Sequence, residues 1–243
     1  MAQHLFALWF PSLSSMVSKS VGELHIIDTV LITRIQKALR LRVGERCILF
    51  DRAAHVICIV KALQSKAITI SYAAVEQNAV YAPIITALLP LLKKDDLSTA
   101  VAELTAVGVS AIQLIMTDGV QRAWGGATEY ERLERVMIAT AEQSKNFAVP
   151  YLYEPVLLRE AIQKHDLVLV GDPEGLSYAQ VLKSFPQTIK SCSVLVGPEA
   201  DFSSAEKAYL AGQGVTFCAL TPTVLRSHLA LTIMTASVRA WYL

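Results

Sequence analysis

The chain has 243 residues, 53% of them hydrophobic and 18% charged, with a formal net charge of +1. That is enough apolar material for one large core or two modest ones, and it excludes an intrinsically disordered chain. No apolar run reaches the roughly 18 to 20 residues of a membrane helix, because Lys93-Lys94 and Arg239 interrupt the two best stretches. The start has no charged leader pattern either, so a soluble cytoplasmic protein is expected.

Residues 1–75 carry 9 Lys and Arg against 4 Asp and Glu, a net +5, whereas the rest of the chain is net −4. A basic module joined to an acidic one suits a division between gripping phosphate and doing chemistry. Within the basic part the pattern predicts strands at His25–Ile27, Arg46–Phe50, His55–Val60 and Ala67–Ser71, with one brief helix over Thr29–Leu39. Several short strands and a single helix predict a small β-barrel. Arg34, Lys37, Arg40 and Arg42 crowd its middle; singly each reads as a solvated surface charge, and as a cluster they favour RNA.

Glu76–Ala82 is a polar crossing, so a domain boundary is placed near Val75, giving domains 1–75 and 76–243. Beyond it α/β alternation begins. Ile84–Leu92 is strand-like, and Asp95 or Asp96 is expected to cap a helix that repeats Leu97, Val101 and Leu104 before Gly108 ends it. Ala111–Met116 is the next strand and Asp118–Gly126 a loop. Thr128 with Glu131 reads as a capping box for a helix with Leu133, Met137 and Ala141 on its inner face, ended before Pro150. Leu167–Gly171 is a buried strand, followed by Asp172-Pro-Glu and a helix to about Phe185. Strands Ser193–Gly197 and Val215–Leu220 and a terminal helix complete a parallel sheet.

Two stretches in this last part organise the rest. Val194–Glu206 runs from an apolar strand through Gly197-Pro198-Glu199 into a helix start, where Ser203 and Glu206 stand at capping-box spacing. Phe217–His228 repeats the design through Thr221-Pro-Thr223 to Leu225-Arg226. Both turns lie at the carboxyl edge of an open α/β sheet, where backbone groups are left free for a ligand. Cys47, Cys58, Cys192 and Cys218 form no C-x-x-C pair, and His4, His25, His55, His165 and His228 are scattered. Neither a metal site nor a disulfide framework is expected, and buried free thiols are.

Val196-Gly-Pro-Glu199 and Leu225-Arg226 heading an apolar helix resemble the RsmE family of SPOUT-type RNA methyltransferases, which methylate N3 of a uridine in 16S ribosomal RNA. Ala38–Glu45, Lys93 with Asp95, Val107-Gly108-Val109, and Glu142-Gln-Ser144 followed by Val149-Pro150 extend the resemblance over most of the chain. It implies a PUA-like β-barrel that helps to hold RNA, followed by an α/β domain tied in a trefoil knot and dimerising across it. Knots are exceptions to chain-threading rules, and periodicity does not reveal one. It further implies S-adenosyl-L-methionine as cofactor, small-subunit ribosomal RNA or the ribosomal subunit as partner, and a homodimer.

The residues expected at the cofactor are Leu169, Val196, Gly197, Pro198, Glu199, Leu220, Val224, Leu225 and Arg226; those expected at RNA are Arg34, Lys37, Arg40, Arg42, Lys93 and Gln143. Methylating N3 of a uridine requires removal of its imino proton, which calls for a base or an anion-stabilising cation. Glu199 and Arg226 are the candidates. Glu199 also reads as a helix-start acid, and Gln143 as a simple helix-end cap. The chain departs from the family at Ala200-Asp201, where a glycine pair is usual, and at Thr221, Thr223 and Ser227-His228. Asn146 and Ala148 replace arginines, and Asp96 replaces a basic residue. These leave two alternatives: a diverged RNA-binding relative with weak or no methyltransferase activity or with a different RNA target, and a different small-ligand α/β protein.

Overall fold

The computed structural model describes residues 5–18, 20–162 and 166–242; His4 and His165 lie outside them. The chain forms two compact units, Met1–Ala79 with Ala141–Val149, and Val80–Thr140 with Pro150–Leu243. The first therefore runs four residues past the expected boundary at Val75 and takes in a later segment that nothing in the local sequence marks.

In the first unit, β1 (Phe6–Trp9), β2 (Gly22–Ile26), β3 (Arg46–Phe50), β4 (Ala54–Leu63), β5 (Ile68–Tyr72) and β6 (Glu76–Gln77) make one sheet in the order β1-β3-β4-β5-β2, with β6 on β4. Only β1 and β3 pair in parallel; the rest is antiparallel. Among the described residues this ladder has β1 and β2 at its two ends, and its six strands stand where a small β-barrel was expected. The strands form for the reason the pattern suggests: Ala54, Val56, Cys58 and Val60 alternate inward along β4 and meet Ile68 and Ile70 of β5 in the core. α1 (Leu13–Met16) is one short turn. α2 (Thr29–Thr33) is capped by the Asp28 carboxylate, which accepts the Leu31 N–H at 2.8 Å, and it widens into a π-turn over Arg34–Ala38.

The second unit is a six-stranded sheet of β7 (Ile84–Pro90), β8 (Ala111–Met116), β9 (Tyr151–Leu157), β10 (Leu167–Ser177), β11 (Ser191–Val196) and β12 (Thr216–Ala219). Its order is β12-β10-β11-β7-β8-β9, and every pairing is parallel. Parallel strands are buried on both faces, which explains why β7, β8 and β11 read as continuous apolar runs. The crossovers are α3 (Lys94–Ala106), α4 (Gly126–Ser144), α5 (Leu158–Ala161), α6 (Tyr178–Lys183) and α7 (Ser204–Gly212), and α8 (Ser227–Trp241) follows the last strand. Leu133, Met137 and Ala141 are all fully buried on α4.

Several expectations about element ends need correction. The residue preceding α3 is Lys93, and Asp95 and Asp96 lie inside its first turn, where negative charge still favours the helix dipole. α4 starts at Gly126, so Thr128 and Glu131 are helical; Glu129 instead accepts the Gly125 N–H at 2.9 Å. Strand β10 does not stop at Gly171. Both Gly171 and Leu176 pair with Cys218, so the intervening residues bulge out of the ladder. The chain returns against β12 so closely that a Cβ on Gly175 would lie 2.5 Å from the Cys218 nitrogen. All four cysteines are buried free thiols. Among the described residues no helix is long and apolar enough to cross a membrane, and no group of His, Cys, Asp and Glu could hold a metal ion.

Candidate active site

In the second unit β7 and β11 are neighbours, but the chain leaves them in opposite directions, through β8 and β9 on one side and β10 and β12 on the other. Such a switch point opens a crevice outside the carboxyl ends of the strands. A cleft of about 680 Å³ lies there, lined by Leu92-Lys93 after β7, Gly171–Pro173 in the β10 bulge, Val196–Glu199 after β11, and Leu220–Arg226 after β12. Eight of the nine residues expected at a cofactor line it. Leu169 does not: it lies in mid-strand, fully buried, between Val194 and Thr216.

The turn after β11 is held by its own side chains. The Asp201 N–H donates to the Pro198 carbonyl at 3.0 Å, and Asp201 adopts φ +64°, a left-handed conformation that Asp tolerates better than most residues. Asp201 thus takes a conformation that glycine adopts freely. A Cβ on Gly197 would lie 2.9 Å from Asp201 Oδ1 and 3.3 Å from its Cα. The close approach that Gly197 permits is therefore first of all to this turn. Lys207 Nζ lies 2.9 Å from Asp201 Oδ2 and 2.9 Å from Asp172 Oδ2, which joins the turn to the β10 bulge. Burial alone would raise the Asp172 carboxyl, but the bonds from Lys207 and the Glu174 amide hold it below the usual carboxylate range.

The capping box at α7 is present in full. Ser203 Oγ accepts the Glu206 N–H at 3.2 Å, and Glu206 Oε2 accepts the Ser203 N–H at 2.9 Å. The same two residues also bind Asp118, through its N–H to Glu206 Oε1 at 2.9 Å and its Oδ2 from Ser203 Oγ at 2.6 Å.

On the other side of the cleft, Thr221 Oγ donates to the Thr223 carbonyl at 2.6 Å and folds the loop into α8. Val224 stands 83% exposed. Arg226 occupies the N-cap position of α8 without a side-chain cap bond; its side chain is 80% exposed and lies 3.9 Å from the Asp96 carboxylate. The Glu199 carboxylate accepts the Lys93 N–H at 3.2 Å, which fixes the approach to α3. His228, in the first turn of α8, places Nδ1 3.2 Å from Glu103 Oε2 and Nε2 3.9 Å from Asp96 Oδ1; Glu103 also accepts from Thr232 at 2.9 Å. His228, Asp96, Asp172 and Asp201 line the cleft although the sequence nominated none of them. Asp96, Asp201 and His228 had shown only as departures from the family pattern, and that signal marked a remodelled wall.

The residues expected at RNA divide. Lys93 is exposed on the rim of the cleft. In the first unit Lys37, Arg40 and Arg42 are exposed, whereas Arg34 is committed to Glu142, with Nη1 2.7 Å from Oε1. Gln143 is exposed in the 141–149 segment of that unit. Asn146 is buried there, and the Phe147 ring packs 5.0 Å from Phe50 and 4.5 Å from His55. The stretch where two arginines were expected is thus used for packing.

The geometry offers an apolar-walled crevice, a glycine turn, an exposed guanidinium weakly paired to Asp96 and an imidazole braced by carboxylates. Residues 81–239 match the family described as RNA methyltransferase domain. Ribosomal RNA small subunit methyltransferase E of Rickettsia conorii is 24% identical over 158 residues, a stretch that is 64% of this chain and 64% of that relative's own length. Ribosomal RNA small subunit methyltransferase E of Neisseria gonorrhoeae, solved bound to S-adenosyl methionine, superposes with a TM-score of 0.84 at 18% identity, over 98% of both chains. A Legionella pneumophila protein solved with the cofactor SAM does so at 0.84 and 20%, again over 98% of both. At such identities the likeness establishes the fold alone.

Proposed function

The chain belongs to the RNA methyltransferase domain family, and from that premise we propose that it methylates N3 of a uridine in small-subunit ribosomal RNA, with S-adenosylmethionine as the methyl donor. The observation that carries this reading is the cleft at the switch point between β7 and β11. Its volume of about 680 Å³ falls in the range of small-molecule sites, roughly 300–1,000 Å³. Val196, Leu220 and Leu225 give it an apolar wall. The carboxylates Asp96, Asp172, Glu199 and Asp201 outnumber Lys93, Arg226 and the Lys207 that bridges two of them, a small negative excess that suits a cationic cofactor. Donor and site therefore fit.

S-adenosylmethionine supplies a methyl group already activated on a sulfonium, so no protein nucleophile is required. The turns 196–199 and 220–225 would hold the cofactor and exclude water. Arg226, exposed and weakly paired, would stabilise the anion of the deprotonated imide or grip the adjoining phosphate. Glu199, tied to the Lys93 amide, would order the rim of the cleft. Lys37, Arg40 and Arg42, all exposed within six residues, would take RNA phosphates. Homodimerisation belongs to the same proposal, supported by the exposed Leu229 and Ile233 one turn apart on α8. The neutral residues Asn146, Ala148 and Thr223, where arginines are usual, favour the rival reading of an RNA-binding relative without activity.

One experiment separates the two. Calorimetric titration with S-adenosylmethionine should show binding, and incubation with small ribosomal subunits should then produce 3-methyluridine by nucleoside mass spectrometry. Cofactor binding without a methylated base would favour the rival, and no cofactor binding at all would leave only the fold.

A further inference from the structure

We infer that His228 is the base that takes the imino proton, with Glu103 as its positioning residue; this rests on the proposed N3 chemistry. The argument starts from the two ring nitrogens. Glu103 Oε2 lies 3.2 Å from Nδ1. A carboxylate only accepts, so in the neutral imidazole Nδ1 carries the hydrogen and Nε2 keeps its lone pair. Nε2 is 3.9 Å from Asp96 Oδ1, beyond hydrogen-bond reach, so that lone pair is not consumed.

Thr232 Oγ1 donates to the same Glu103 oxygen at 2.9 Å and fixes the carboxylate from one turn further along α8. The imidazole is only 15% exposed, and it forms part of the cleft wall between Arg226 and Ala230. Among the described residues the charged groups facing it are Asp96 and Glu103 from α3, and Arg226 from the start of α8 pairs with the same Asp96 oxygen at 3.9 Å. Both carboxylates stabilise an imidazolium as it forms, as an acid does behind the histidine of a catalytic triad.

The proton balance is simple. The N3–H bond breaks, its electron pair stays on N3, and the proton passes to Nε2. Arg226 faces the resulting imide anion, and the imidazolium later returns its proton to water.

The test uses the full chain. In the apo protein, nitrogen NMR of the neutral His228 imidazole should report Nδ1 protonated and Nε2 bare. Glu103→Gln should disturb that assignment. His228→Gln should bind S-adenosylmethionine within about threefold of the native chain while its single-turnover methyl transfer falls by about 100-fold or more, the usual reach of a general base. Its rate should also lose the acid limb of the pH profile, and added 4-methylimidazole should restore part of the rate. A native chain that methylates N3 while His228→Gln keeps its rate or its pH profile would overturn the assignment and leave the function standing. A native chain that binds cofactor but methylates no uridine would sink both.

Discussion

Lys207 ties together the two backbone segments that edge the cleft, because one ammonium meets Asp172 and Asp201 at 2.9 Å each. Those contacts raise the Lys207 ammonium and hold the buried Asp172 carboxyl below its usual range. A carboxyl whose folded value lies below its unfolded one stabilises the fold above about pH 3.9, and the effect is lost as pH falls through the lower, folded value. Asp172→Asn should therefore lower the unfolding free energy at about pH 7 by roughly 1.5–3 kcal/mol, the range for hydrogen bonds to charged groups. The gap between variant and native chain should narrow below about pH 3. Urea titrations at the two pH values check this; an equal loss at both would mean that the bulge needs the shape of Asp172 and not its charge. None of this bridge was legible in the sequence. Asp172, Asp201 and Lys207 are brought together by the return of β10 and the left-handed turn at Asp201, and neither leaves a local pattern.

At the scale of elements, most of what was legible depended on short-range rules. The capping box at Ser203 and Glu206 needs only a three-residue spacing, and both of its bonds are present. Alternation found β4 and β5, and unbroken apolar runs found β3, β8 and β11, because in each the buried positions follow the pattern of the strand itself. Strand β9 escaped notice because Tyr151, Tyr153 and Glu154 are exposed and Pro155 cannot donate to a ladder; it lies at the edge of the sheet, where proline is tolerated. The end of α4 escaped a glycine rule in the same way. Lys145, not glycine, takes φ +56°, and the Asn146 N–H reaches back to the Ala141 carbonyl at 3.1 Å. The capping box also carries a prediction. Ser203→Ala removes the bond to the Glu206 N–H and the one to Asp118, 85 residues away, so it should cost about 1–2 kcal/mol, the upper part of the N-cap range. Thermal unfolding measures the loss, and amide exchange over Ser204–Lys207 should accelerate. A change confined to α7, with the Asp118 amide unaffected, would show that the long-range bond contributes nothing.

At the scale of the whole molecule the division of charge survives redrawing of the units. The first unit, residues 1–79 with 141–149, holds 10 Lys and Arg against 6 Asp and Glu, net +4, and the second is net −3. What the structure changes is which of those cations remain available. Arg34 donates to Glu142, which also accepts the Trp9 N–H at 2.8 Å, so its guanidinium belongs to the packing of the first unit. Lys37, Arg40 and Arg42 are exposed, and the left-handed turn at Arg40, φ +52°, follows the π-turn directly. If these three side chains contact phosphate, each releases about 0.7 of a counterion on single-stranded RNA, so replacing all three with Gln should flatten the log–log salt dependence of RNA binding by about 2. Arg34→Gln serves as the contrast: it should lower the melting temperature, because it leaves Glu142 without its cation, and keep the salt slope nearly unchanged. Fluorescence anisotropy with a small-subunit RNA fragment, over about 50–200 mM salt, reads both variants. A triple variant with the native slope would make the cluster solvated surface and move the phosphate contacts to the rim of the cleft, where Lys93 and Arg226 are exposed. A slope lost on Arg34→Gln with an unchanged melting temperature would instead show that Arg34 leaves Glu142 to meet RNA.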